Sequence, residues 1–230
     1  VQGVLTTDPS INKNAKKIDK ISYEEMLEMA SLGAMVMQPM SVQASLVNDI
    51  QVQVRSAFSE KKGTIITSES NTNYKRLVTG VTYSKNDAKV TLVGVIDKPG
   101  VAANIFQPLG INNINIDMVI QNTSSGGKKT DVTFTIKRVD LSKTLKLIKK
   151  NNKNLNYNKI IHDDKVSKVS IIGAGMIANP GVTYKMFRSL ADKKINILAI
   201  STSEIKVSVL IREGLTQQAV KTLHNTFGLN

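Results

Sequence analysis

The 230 residues are enough for one medium domain or two to three small ones. No apolar run approaches the ~20 residues needed to span a bilayer, and the absence of cysteine excludes disulfide frameworks, thiolate metal sites and a Cys nucleophile. The net charge of +13 raises a nucleic-acid reading, but the Lys-Lys pairs at 16–17, 61–62, 128–129, 149–150 and 193–194 are dispersed, as on a solvated surface. Position 1 is valine, so the sequence reads as a piece of a longer protein; the absence of cysteine fits a cytoplasmic one, and no membrane contact is expected.

In chain order, residues 1–58 read as alternating helix and strand. Ser22-Tyr23-Glu24-Glu25 forms a capping box, in which the Ser22 hydroxyl accepts from the Glu25 amide while Glu25 reaches back. The helix that follows carries Met26, Leu27, Ala30 and Ala34 at helical spacing and ends near Gly33. A short helix is expected over 41–47 and a half-buried strand over 50–54. Residues 59–74 are polar apart from the patch at Thr64–Ile66, which makes them the candidate boundary.

An internal repeat fills the remainder. The first copy opens AKVTLVGV at Ala88 and the second SKVSIIGA at Ser167. Each continues with Pro-Gly (99–100 and 180–181), a helical stretch, an Ile-Asn-Ile triplet (114–116 and 195–197), two strands and a closing helix. Strand–helix–strand–strand–helix with a further strand is the split βαβ order, predicting two helices on one face of an antiparallel sheet. Sheet edges left by two such copies favour side-by-side pairing, so a homodimer is expected.

The turn after each first strand is the candidate binding site. A glycine there lets helix-start amides approach a ligand, and those amides with the helix dipole favour a carboxylate. Asp97 beside the first turn would accept an ammonium group, so an α-amino acid matches both halves. The plainer alternative is that Pro-Gly turns the chain and Asp97 caps the helix. Asn115 and Asn196 point away from their Ile neighbours, to bind a ligand or close a turn. Gln121, Asn122 and Ser124 add neutral hydrogen-bonding groups suited to recognising a polar side chain. His162 and His224 lack metal-like partners at close spacing and read as surface or helix-end residues. No phosphate-loop or dinucleotide glycine motif occurs, so no catalytic residues, metal or resident cofactor are expected here.

Several segments carry a family resemblance that covers essentially the whole chain. KISYEEMLEMASLGA (20–34) resembles the C-terminal helix region of the aspartokinase kinase domain, and GVLTTDPS (3–10) its nucleotide-side loop. VIDKPGVAANIF, INIDMVIQN, HDDKVSKVSIIGAGM, NPGVT, INILAISTSEIKVSVLI and AVKTLHNTF resemble the paired ACT modules of lysine- and threonine-sensitive aspartokinases. The resemblance implies an α+β fold: tandem ferredoxin-like βαββαβ (ACT) modules preceded by the α/β end of an amino-acid kinase domain. The implied limits are 1–67 for the kinase end, 68–76 for a linker, and 77–153 and 154–230 for the modules.

It also implies that a kinase part outside this sequence phosphorylates the β-carboxyl of aspartate, using ATP and Mg, in the first step towards lysine, threonine, methionine and diaminopimelate. Threonine and/or lysine would bind where ACT modules of two chains meet. Carried over by motif, Asp97, Gly100, Ala102 and Gln121 would form a site with Asn196, Ile197 and nearby Thr183. Ser124 and Ser203 would flank it, with Asp97 on the ammonium, amides near Gly100 on the carboxylate, and Gln121 or Asn196 on the side chain. Thr6, Thr7 and Asp8 correspond to the nucleotide-side loop.

Departures from the pattern accompany the resemblance. Leu5 replaces a tyrosine, Ser10 an arginine, and Gln38-Pro39-Met40 an HPR stretch, which keeps alive an alternative reading as a degenerate remnant without effector binding. Lys194 stands where asparagine is frequent and would repel a cationic effector, favouring threonine over lysine. The other alternative is an RNA-binding module, because such modules share the split βαβ order. They stack bases on sheet aromatics, whereas here rings make up 4% of residues and the third strands offer only Phe134.

Overall fold

The structure, a computed structural model, describes residues 1–68, 76–123, 129–151 and 155–230. Most of the expected linker and Ser124 lie outside them. The chain divides into two compact units: unit 1 combines Val1–Ser84 with Lys168–Asn230, and unit 2 is Lys85–Ser167.

Unit 1 begins with strand β1 (Lys20–Ser22) and helix α1 (Tyr23–Ser31), joined by the expected capping box. Tyr23, Met26 and Met29 are buried along α1, in a core with Val4, Ile21, Val42, Ile66 and Ile172. Helix α2 (Pro39–Val47) starts two residues before the expected limit. Gln38 is extended, and the fixed φ of Pro39 suits the first helical position, where no amide partner is needed. Strand β2 (Val52–Val54) is shorter than expected, while the apolar patch becomes strand β3 (Thr64–Thr67). β3 lies between β1, with which it runs parallel, and β2, with which it is antiparallel.

The long strand β4 (Gly80–Ile96) passes from unit 1 into unit 2. Within unit 2 it leads to helix α3 (Val101–Ile111), strands β5 (Ile116–Thr123) and β6 (Lys129–Lys137), helix α4 (Leu141–Lys150), and the first part of strand β7 (Lys159–Ile172). The sheet order β5-β6-β4-β7 is that of a βαββαβ module. Val101, Ile105 and Leu109 form the buried stripe of α3, and Phe106 meets Phe134 edge to face at 5.3 Å. Phe134 is fully buried, so the ring that an RNA-stacking platform would need faces the core.

The end of β7 returns the chain to unit 1. There follow helix α5 (Gly181–Asp192), strands β8 (Ala199–Ser203) and β9 (Lys206–Arg212), and helix α6 (Thr216–Thr226). Val182, Met186 and Leu190 repeat the α3 stripe. No strand follows α6; the fourth strand of this module is the first stretch of β4. Thr79 N–H donates to Ile172 O at 2.7 Å, and Val81 packs in the core formed by Val169, Ile171, Val209 and Leu223. The unit limits therefore fall inside β4 and β7, whereas the resemblance implied module limits at 76/77 and 153/154. The difference has a physical cause: each sheet is completed by a strand that is adjacent in space but belongs to the other end of the repeat.

Candidate functional site

The turn between β4 and α3 is built by its sequence in three steps. Pro99 rules out continued strand pairing, Gly100 adopts a left-handed conformation at φ 87°, and α3 starts at Val101. A Cβ at Gly100 would meet nothing within 4 Å, so the glycine is required by its backbone conformation rather than by crowding. No side chain caps α3. Asp97 therefore does not serve as the helix cap that the plainer reading assigned it; it is half-buried beside the turn. The helix start presents partial positive charge close to a carboxylate, a pairing that matches a zwitterion. Ala102 on the first turn of α3 and Gln121 on β5 are exposed.

The strands flanking this turn are irregular in ways the sequence concealed. β4 is bulged between Leu92 and Val95, and β5 between Asp117 and Ile120. Gly94 sits at φ 70° in the first bulge, where its amide donates to Asp131 Oδ1 at 2.8 Å. A Cβ on Gly94 would collide with the Asn158 side chain, which accepts from Lys129 Nζ at 2.8 Å. Gly94 within a strand was the available signal for this arrangement; Asp131 and Asn158 carried none.

In unit 1 the equivalent turn is Asn179-Pro180-Gly181. Val182 N–H donates to Asn179 O at 3.1 Å, as Val101 N–H does to Lys98 O at 3.2 Å. Thr183 is half-buried, Asn196 and Ser203 are exposed, and the Ile197 side chain packs against the module core.

Of the nucleotide-side residues, Thr6 and Asp8 are hydrogen-bonded internally. Thr6 Oγ1 accepts from Lys16 N–H at 3.0 Å and lies 2.8 Å from His224 Nε2. Asp8 Oδ1 accepts from Ser10 N–H at 2.8 Å and Oδ2 from Tyr83 Oη at 2.9 Å. Burial alone would raise the Asp8 carboxyl, but the hydrogen bonds from Ser10 and Tyr83 outweigh it and hold it below the ordinary value. Thr7 Oγ1 is buried without a partner. Each Asp8 oxygen keeps a second lone pair and Thr7 Oγ1 has no partner, so the triplet retains acceptors while the Thr6 hydroxyl is taken up internally. Among the described residues no group of three His, Asp or Glu side chains could hold a metal ion. No helix among them is long and apolar enough to cross a membrane.

His224 corrects the sequence reading. It is fully buried, with Nδ1 3.0 Å from Asn230 Oδ1 and Nε2 on Thr6. Its place at the last turn of an amphipathic helix looked like a solvent-facing end, but Thr6 and Asn230 engage its two ring nitrogens in unit 1. His162 is exposed on β7.

Residues 90–151 and 169–227 match the ACT domain model, and residues 1–56 match that of the amino acid kinase family. The aspartokinase of Corynebacterium glutamicum is 44% identical over 232 aligned residues, covering 100% of this chain and 55% of that protein. The chain thus spans little more than half the length of the curated relatives it matches. A crystal structure of aspartokinase alpha and beta subunits is 44% identical over 66% of this chain and 99% of that one, with a TM-score of 0.62. Escherichia coli aspartokinase III, crystallised in complex with lysine and aspartate in a T-state, is 26% identical with a TM-score of 0.77, covering 99% of this chain and 50% of that one. By the two ACT matches, the kinase-family match and the solved chain it covers almost end to end, this chain belongs to the aspartokinase family.

Proposed function

We propose that the chain is the effector-sensing part of an aspartokinase, binding threonine and/or lysine for feedback inhibition. The observation that carries the reading is the uncapped start of α3, opened by left-handed Gly100, with Asp97 beside it. An α-amino acid places its carboxylate at the Ala102 amide, beside a Val101 amide that donates to Lys98 O, and its ammonium on Asp97, leaving its side chain to Gln121. Thr183, Asn196 and Ser203 are the corresponding groups of the second module. The E. coli relative crystallised with lysine and aspartate supports an amino-acid ligand. The whole protein would transfer phosphate from ATP to the β-carboxyl of aspartate, and would dimerise through its ACT modules.

On the second module, the exposed Lys194 ammonium would repel a cationic effector, which favours threonine over lysine there. Calorimetric titration of the chain with threonine, lysine, both together, and methionine and aspartate as controls tests the reading. Saturable binding of threonine or lysine is expected. Silence across the panel from a folded chain would leave the remnant reading in its place.

A further inference from the structure

Glu25 is buried, and its carboxylate gathers hydrogen bonds from three segments of unit 1. Oε1 accepts from Thr79 Oγ1 at 2.7 Å and from Ala174 N–H at 2.9 Å. Oε2 accepts from Ser22 N–H at 3.3 Å and Ser22 Oγ at 3.4 Å. A buried carboxylate persists only where such donors replace its water. The capping box accounts for the Ser22 bonds alone; the other two reach outside the kinase-family segment.

Glu28, one helical turn on, takes Lys206 Nζ at 3.0 and 3.2 Å, with both side chains mostly shielded. Lys206 opens β9 immediately after the β8–β9 turn. The carbonyl of Ile205 in that turn accepts from Gly173 N–H at 3.0 Å, and Gly173 adjoins Ala174. The β8–β9 turn is therefore fastened to α1 twice, through Lys206–Glu28 and through Ile205–Gly173–Ala174–Glu25.

The chain entering β4 is clamped at the same place. A Cβ on Gly173 would lie 2.5 Å from Leu77 O and 2.8 Å from Val78 Cα, and one on Gly175 2.6 Å from Arg76 O. Backbone thus crosses backbone with no space for adjustment, between two glycines that no ligand role requires. A tightly packed junction moves as a body instead of deforming.

We propose that this junction is the output linkage of the second ACT module: displacement of the β8–β9 turn is transmitted to α1 of the kinase-family segment. The proposal rests on the sensor reading only for its trigger, since Ser203 lies at the start of the same turn. The mechanical coupling stands independently of any ligand.

Hydrogen exchange of the full 230-residue chain tests it. Lys206→Ala, a change in the module, is expected to speed exchange of α1 amides about threefold, as loss of a shielded ion pair should. Glu25→Gln, which keeps the shape but only one acceptor oxygen, is expected to speed exchange at Ala174 about tenfold. The charge swap Glu28→Lys with Lys206→Glu should restore α1 protection, and Arg188→Ala, breaking the exposed Arg188–Asp192 pair on α5, should leave α1 unchanged. Changes confined to the mutated element in both single variants would overturn the linkage. In a second arm, saturating threonine or lysine should alter α1 exchange in the wild type and lose that effect, with affinity retained, in the Lys206→Ala variant. Binding without any α1 response would also overturn it. If neither amino acid binds, the sensor reading fails, and the first arm still decides the junction.

Discussion

Thr6 Oγ1 and His224 Nε2 lie 2.8 Å apart, both fully buried, joining the kinase-family segment to helix α6. Burial lowers the His224 pKa below its ordinary value, against the raising effect of Asn230, with Lys16 and Arg76 adding repulsion. The folded state therefore favours neutral imidazole. The unfolded chain binds a proton more readily, so this contribution to stability is full above about pH 6.5 and falls as pH drops below it towards the folded pKa. Thermal unfolding followed from pH 8 to 5 should show Tm declining through that window. His224→Gln should flatten the decline while lowering Tm at pH 8, and an unchanged slope would dissociate the effect from His224.

Gly173→Ala and Gly175→Ala should each cost about 2–4 kcal/mol, because the new methyl meets the backbone of 76–78 rather than a movable side chain. Gly110→Ala is the internal control. It lies within α3 with nothing within 4 Å of its Cβ, so alanine should stabilise by about 0.5–1 kcal/mol through helix propensity. Denaturant unfolding of the three variants measures the contrast.

Lys194→Asn has a stability consequence besides any effect on effector choice. Lys194 occupies φ 57°, as Asn113 occupies φ 56° in the first copy, and each precedes an isoleucine whose amide donates 3.0 Å back into the helix. Asparagine tolerates the left-handed conformation better than lysine. Lys194→Asn should therefore stabilise by roughly 0.5 kcal/mol, and asparagine's frequency at this position has a backbone explanation. An unchanged preference between threonine and lysine in the same variant would remove Lys194 from the specificity argument.

Asp97→Asn should weaken binding of the effector amino acid about 10–100-fold by removing the charge that faces its ammonium, with little change in stability at this half-buried site. Gly100→Ala should also weaken binding, because a Cβ at φ 87° strains the turn by about 1–2 kcal/mol. Calorimetry on both variants checks the pair.

Much of this architecture was legible in the sequence. The capping box at Ser22 and Glu25, the helical stripes of α1, α3 and α5, and the strand–helix–strand–strand–helix repeat all follow from local periodicity. What local pattern cannot carry is partnership between distant segments. Nothing near Val81 announces that it completes the sheet of residues 168–212, so the expected module limits miss that exchange. The same blindness made His224 look solvent-facing and left Asp131, Asn158 and the Glu25–Ala174 bond unforeseen. Strand bulges at Gly94 and Met118 were similarly hidden, since a bulge changes register without changing the alternation that identifies the strand.

Backbone amide resonances of the chain during titration with threonine and with lysine decide whether the turn before α3 binds an amino acid. The amides of Gly100, Val101 and Ala102 should shift saturably with one of these amino acids, and Asp97→Asn should displace the midpoint to higher concentration. Saturable shifts elsewhere that leave these three amides unmoved would contradict binding at this turn.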